Sequence, residues 1–185
     1  MRITLKPLGQ YPWYLRPFFW SQKRRYGEVL LPGLAWGRSP LLFMAVALLY
    51  GALDRRRSPI DPVLRSLITV RVSQLNGCRF CVDINSATLA RRAGGMDKVL
   101  ELAHWRESPV FDAGEKLALE YAEAMTCTPL RVDDTLAGRM TQHFGEVELV
   151  ELTGLIAFQN LSSRFNSALD VPAQGFCPLP GEPKD

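Results

Sequence analysis

Apolar positions recur at helical spacing along most of the chain, and nowhere does an apolar/polar alternation persist between turn residues as a half-buried strand would require. Ser39-Pro40 and Asp61-Pro62 each set a capping residue before a proline at a first helical position, predicting helices over about 40–54 and 62–76. Asn76-Gly77 breaks the second. A third helix starts close to Cys78 and is stopped by Gly94-Gly95. A short helical piece follows over Met96 to Ala103. Asp112 and Glu115 stand at capping-box spacing before a helix reaching about Met125, and further helices are expected at about 133–143 and 146–169. The β-branched cluster Leu67-Ile68-Thr69-Val70-Arg71-Val72 lies inside this helical frame and is read as helix.

The ends read differently. Residues 1–37 mix proline, glycine and large aromatics such as Trp13, Phe18, Phe19 and Trp20 without periodicity. They form an arm, with at most a short helix, expected to lie across the core or a neighbouring subunit. Residues 171–185, with four prolines and two glycines, make a tail. The expected organisation is an arm (1–37), one all-α multi-helical domain (38–170) and the tail.

Composition narrows the function classes. At 185 residues the chain can fill one compact core, and a net charge of +3 with scattered basic residues gives nucleic-acid binding no support. Lys23-Arg24-Arg25 and Arg55-Arg56-Arg57 read as solvated faces. Leu41 to Leu53 is too short for a bilayer, which needs roughly 20 residues, and so reads as a buried core helix with no membrane partner. The amino terminus shows no secretory pattern, which points to a cytoplasmic protein, and four cysteines, two of them close together, do not form a secreted disulfide framework.

The chemistry centres on Cys78-Arg79-Phe80-Cys81. Cysteines three apart at a helix start share a face and can bridge, while the helix N-terminus favours a thiolate. Arg79 adds positive charge that would lower a nearby thiol's pKa. A thiolate attacks peroxides and disulfides, and a second thiol can resolve the sulfenic acid formed. Zinc would need two further ligands at short spacing, but Cys127, Cys177, His104 and His143 are scattered. A thioredoxin-like fold would need a strand before the motif. A buried, inert pair remains a competing reading. No cofactor and no metal is expected.

The run Gln74-Leu75-Asn76-Gly77-Cys78-Arg79-Phe80-Cys81-Val82-Asp83-Ile84-Asn85-Ser86-Ala87 resembles the signature of the carboxymuconolactone decarboxylase-like superfamily, in its alkylhydroperoxidase D branch. Ala90 to Gly95, Glu115 to Thr126, Glu151 to Asn160 and Arg164-Phe165-Asn166 are also similar to that family, over about residues 55–170. The resemblance implies an all-helical bundle of the alkylhydroperoxidase D-like type, assembly into trimers or hexamers, and a peroxidase cycle coupled to a dithiol reductant protein; the chain is expected to be a homo-oligomer, whether dimer, trimer or hexamer. It implies Cys81 as the peroxidatic thiol and Cys78 as the resolving one. The family's proton relay has a glutamate and a histidine where this chain has Ser66 and Asn85. Neither accepts a proton near neutral pH, so general-base activation, commonly worth about 10²- to 10⁴-fold, is absent or supplied otherwise. Asn85 and Ser66 are expected to orient the Cys81 sulfur by hydrogen bonding. Asp83 sits about 200° round the helix from Cys81, pointing away as a solvated or interface carboxylate.

Weaker signals complete the reading. His104 and His143 read as helix-end or core histidines, and Glu120 with Glu123 as a solvated pair. Arg164 and Asn166 should knit helices together, with lining the pocket as the alternative; Cys127 reads as structural and Cys177 as the more exposed thiol. Shifting the chain by 85 residues lays Leu67 on Leu152, Gln74 on Gln159, Arg79 on Arg164 and Phe80 on Phe165, a weak match that fits a duplicated helix pair and chance equally well, with Ser163 and Asn166 at the two cysteine positions. The expected function is a thiol-dependent antioxidant protein acting on a peroxide or disulfide. A non-catalytic or redox-sensing oligomerisation module is the alternative. A carboxymuconolactone decarboxylase-type enzyme ranks last, because it needs a general base that the sequence does not show.

Overall fold

The computed structural model describes residues 1–177, and these are all helical with no strand. The β-branched run therefore ends up in a helix: α4, Pro62–Leu75, is the hub, against which α5 (Arg79–Ala93), α7 (Ala113–Thr126) and α9 (Glu146–Ala168) pack. Leu67, Ile68, Val70 and Val72 on α4 are wholly buried against Leu89, Leu119, Leu152 and Ile156, so burial on all sides overrides the modest helix propensity of β-branched residues.

The expected punctuation sets the helix ends. Asp61 caps α4 by accepting from the amides of Val63 (2.7 Å) and Leu64 (3.2 Å), and Asp112 and Glu115 form a reciprocal capping box on α7. Ser39, by contrast, makes no side-chain cap. Pro40 alone starts α3, Pro40–Leu53. Gly77 (φ 61°) turns the chain between α4 and α5, and Gly94 (φ 74°) ends α5 in the left-handed region that glycine enters without strain. Short helix α6 (Asp97–Glu101) and α8 (Asp134–His143) complete the bundle.

The amino-terminal region is more ordered than expected. It forms α1 (Arg16–Tyr26) and α2 (Leu31–Gly37), joined to α3 by a second core of Tyr11, Leu15, Phe19, Trp36 and Phe43. Trp36 stacks on Phe165 of α9 with ring centroids 3.4 Å apart, so this region does lie across the core. Prolines at early positions of α1 and α2 and the aromatic contacts do the work that periodicity did not signal.

One expectation fails, and one open reading is settled. Helix α3 is not a buried core helix: of its apolar residues only Phe43 is buried, while Leu41 is 84% and Leu48 77% exposed. Nor do residues 67–80 and 152–165 form a duplicated helix pair, since the first span breaks at Asn76-Gly77 and the second is one continuous turn of α9 after another. Among the described residues no helix is long and apolar enough to cross a membrane. The expected tail falls partly outside the described residues, beyond 177.

Candidate functional site

Cys78 and Cys81 are joined in a disulfide, with Cα atoms 5.2 Å apart. Cys78 is the N-cap of α5, and its sulfur accepts from the Cys81 amide (3.2 Å), where an N-terminal amide and the helix dipole favour negative charge. The two sulfurs are unequal in access. Both residues are nearly fully buried, but Cys81 lines a cavity of about 330 Å³ whereas Cys78 does not. Val171 and Phe80 pack in one buried cluster with the pair.

The cavity lies between the amino-terminal helices and the bundle. Phe18, Trp36, Phe43, Tyr50 and Phe158 make its walls aromatic. Ser66 and Asn85, the positions of the missing relay, both line it, so the sequence brought the right positions together with non-titrating side chains. Neither touches the Cys81 sulfur as expected. The Ser66 hydroxyl donates to the Pro62 carbonyl (3.0 Å) and accepts from Arg92 (3.0 Å). The Asn85 amide donates to the Ser73 hydroxyl (3.3 Å), which also accepts from Gln159 (2.9 Å), tying α4, α5 and α9 together.

The amide at the sulfur comes from α9. Asn166, 1% exposed, donates through Nδ2 to Cys81 Sγ (3.2 Å), while its Oδ1 has no partner among the described residues. Asn166 also lines the cavity, so an unused acceptor stands beside the Cys81 sulfur. Periodicity could not single it out. The family resemblance over Arg164-Phe165-Asn166 and the expectation that Asn166 knits helices together do point to it, and its bond from α9 to Cys81 on α5 does so, but neither signal names the sulfur as its partner.

Arg79 and Asp83 have other duties. The Arg79 guanidinium is exposed and pairs with Asp170 (2.9 Å), which draws its charge into a surface ion pair; the guanidinium bond first, then the chain's amino group, hold the Asp170 carboxyl below its usual range. Asp83 does point away from Cys81, but it is buried rather than solvated. It accepts from the amides of Gln174 (2.9 Å), Gly175 (2.8 Å) and Cys177 (2.7 Å), fastening residues 174–177 onto α5. Cys177 is accordingly buried, not the exposed thiol expected.

At the far end of the cavity stand Asp54, Arg65 and Arg92. Arg92 grips Asp54 with two bonds (2.7 and 2.9 Å), and Arg65 Nε lies 3.6 Å from the same carboxylate. Burial first pulls the Arg65 pKa below its usual value; Asp54 opposes this and Arg92 adds to it. Tyr50 borders this end. Burial and then Asp54 push its phenol up to about 12, so it is a neutral hydroxyl at physiological pH although nearly half of the residue is exposed.

The other candidates lie elsewhere. Glu123 is not solvated: it accepts from Trp105 (2.9 Å) and Arg71 (2.7 Å) and pairs with Arg106. Burial raises its carboxyl, but those three donors outweigh it and leave the pKa below the ordinary value. Glu120 pairs with Arg139. His104 and His143 are exposed at helix ends, and Arg164 bridges Asn76 and the Thr126 carbonyl as expected. Among the described residues no group of three or more His, Cys, Asp or Glu gathers to hold a metal.

Comparison with known proteins places this arrangement. The profile of the carboxymuconolactone decarboxylase family matches residues 40–124. The uncharacterized protein YnjA of Escherichia coli (strain K12) is 53% identical over 178 residues, 96% of this chain and 98% of that one. Among solved structures, the alkylhydroperoxidase AhpD core of an uncharacterized peroxidase-related protein from Ralstonia eutropha superposes with a TM-score of 0.85 at 19% identity, covering 95% of this chain and 93% of that one. The debrominase Bmp8 superposes with a TM-score of 0.83 at 23% identity, covering 94% and 92%. At these identities the two structures show a shared fold.

Proposed function

The chain belongs to the carboxymuconolactone decarboxylase family, and from that premise we propose that it is a thiol-dependent antioxidant protein that reduces organic hydroperoxides through Cys81 and Cys78. The observation that carries this reading is the unequal access of the two bridged sulfurs: Cys81 faces the cavity and Cys78 is sealed behind it.

The asymmetry suits a cycle. A thiolate of a dithiol reductant attacks Cys81 Sγ from the cavity, and Cys78 leaves as a thiolate held by the Cys81 amide and the α5 N-terminus. The reductant's second thiol then attacks the mixed disulfide, releasing Cys81 as a thiolate and the reductant as its own disulfide. The Cys81 thiolate attacks the distal oxygen of a hydroperoxide. The O–O bond breaks, sulfenic acid forms at Cys81, and the alkoxide takes a proton from water to leave as an alcohol. Cys78 attacks the sulfenic acid, water departs, and the disulfide is restored.

With Ser66 and Asn85 in the cavity, no general base stands beside Cys81. The Asn166 Nδ2 bond stabilises the thiolate without titrating, and the Asn166 Oδ1 is an acceptor suited to the hydroperoxide O–H. The reductant is proposed to be a dithiol protein and the setting a reducing, cytoplasmic one. We further propose a homo-oligomer, because the outer face of α3, with Leu41, Leu48 and Leu49 exposed, is more apolar than a monomer surface tolerates.

Peroxide consumption with a dithiol reductant tests the reading. Wild type should turn over cumene hydroperoxide, and Cys81→Ser should abolish turnover without altering the fold. Unchanged turnover in that variant would place the chemistry elsewhere.

A further inference from the structure

The polar end of the cavity carries a charge imbalance that the redox cycle does not use. The charged residues lining the cavity are Asp54, Arg65 and Arg92, two cations to one anion. Neighbouring charges are committed outside it: Arg55 pairs with Glu151, and Asp61 caps the amides of Val63 and Leu64. Arg92 takes both oxygens of Asp54, leaving Arg65 at 3.6 Å from that carboxylate. Arg65 is 4% exposed, donates through Nη1 to the Arg55 carbonyl (3.1 Å), and its buried Nε has no hydrogen-bond partner among the described residues. That Nε lies 3.6 Å from Asp54 Oδ1, an ion pair too long for a hydrogen bond, so the buried guanidinium is only partly compensated and a bound anion would offset the remaining desolvation cost.

The rest of the cavity is the opposite in character. From this end, a wall of Phe43, Val46, Ala47 and Phe158 leads towards Cys81. Cys81, Ile84, Asn85, Thr88 and Arg92 follow one another along a single face of α5, and the eleven helical steps from Cys81 to Arg92 span about 16 Å. The cavity is thus a slot with a cationic end, apolar sides and a sulfur at the other end. Its volume of about 330 Å³ suits one small elongated molecule.

We propose that this slot binds a carboxylate-bearing apolar molecule, its carboxylate against Arg65 and Arg92 and its apolar body lying along the aromatic wall towards Cys81. This deepens and rests on the redox reading only in naming the substrate class: an organic hydroperoxide whose apolar body ends in a carboxylate, in preference to hydrogen peroxide or a neutral alkyl hydroperoxide. Arg65 is the specificity residue. Asp54 holds Arg92 in place and keeps the local charge at a single surplus cation, which selects a monoanion.

The test is calorimetric titration of the full-length disulfide form with decanoate, 1-decanol and decylammonium, without peroxide or reductant. Decanoate should bind at least tenfold more tightly than 1-decanol, and decylammonium more weakly than either. Arg65→Gln should erase the preference for decanoate while leaving the affinity for 1-decanol within about twofold. Equal affinity for decanoate and 1-decanol in wild type, preference for decylammonium, or no binding of any probe would overturn the proposal, and the three-probe comparison decides even if the variant fails to fold. Because no turnover is involved, a protein that binds decanoate but reduces no peroxide would defeat the redox reading alone, and one that turns over cumene hydroperoxide but ignores the carboxylate would defeat this proposal alone.

Discussion

At the scale of single residues, the sulfur chemistry turns on one amide. Asn166 donates to Cys81 Sγ at 3.2 Å. A charge-assisted hydrogen bond is worth about 1.5–3 kcal/mol, and one pKa unit about 1.4 kcal/mol. Asn166→Leu, which is close in size and removes the donor without adding charge, should therefore raise the apparent pKa of reduced Cys81 by at least about one unit, read from the pH dependence of iodoacetamide alkylation. An unchanged profile would show that the bond does not stabilise the thiolate. The cysteine pair and the empty relay positions were legible in the sequence because their spacing is local. Asn166 was not, since its partner lies 85 residues away and only the fold of α9 onto α5 brings them together. The same holds for Asp83. Helical geometry gave its direction correctly, but its burial depends on three amides of a segment some ninety residues downstream. Asp83→Ala should free that segment and cost about 2–4 kcal/mol, seen as faster amide exchange over 171–177 and a lower denaturation midpoint.

At the scale of elements, the ends of helices were readable and their environments were not. Proline, aspartate and glycine act on the adjacent backbone, so Asp61, Asp112 and Gly94 mark their boundaries without reference to tertiary contacts. The aromatic-rich first 37 residues had no period to read, because α1 and α2 are held by ring contacts with α3 and α9 more than by an apolar stripe. Helix α7 carries a pH-dependent element of stability. Glu123 binds Arg71, Trp105 and Arg106, and its folded pKa lies below the ordinary glutamate value of 4.5. A depressed carboxylate contributes stability that is fully present above its unfolded pKa and lost as pH falls through the folded one. Thermal melts should thus fall below about pH 4.5 in wild type. Glu123→Gln should melt lower at pH 7 and show a flatter acid limb; parallel acid limbs in the two proteins would contradict the assignment.

At the scale of the whole molecule, the exposed apolar face of α3 bears on the homo-oligomer proposed above. Leu41 to Leu53 was read as core because thirteen apolar residues in a row imply burial, yet in the single chain α3 turns one face to the cavity and the other outward. The apolar run signals burial without saying against what. If that outer face is a subunit contact, Leu48→Glu should shift the protein to monomer in sedimentation velocity, whereas an unchanged sedimentation coefficient would remove α3 from the interface. The fold class and the reactive motif were thus available from sequence, while the cavity, its charged end and the relative access of the two sulfurs required the packed structure. In the proposed cycle Cys81 is the sulfur that meets peroxide and Cys78 the one that resolves it. Intact-mass spectrometry of reduced Cys78→Ser treated with one equivalent of cumene hydroperoxide tests this most directly. The account predicts a single added oxygen on Cys81, trappable by dimedone, and no adduct in Cys81→Ser under the same conditions; oxygen appearing on Cys78 of Cys81→Ser, with Cys81 of the other variant untouched, would contradict it.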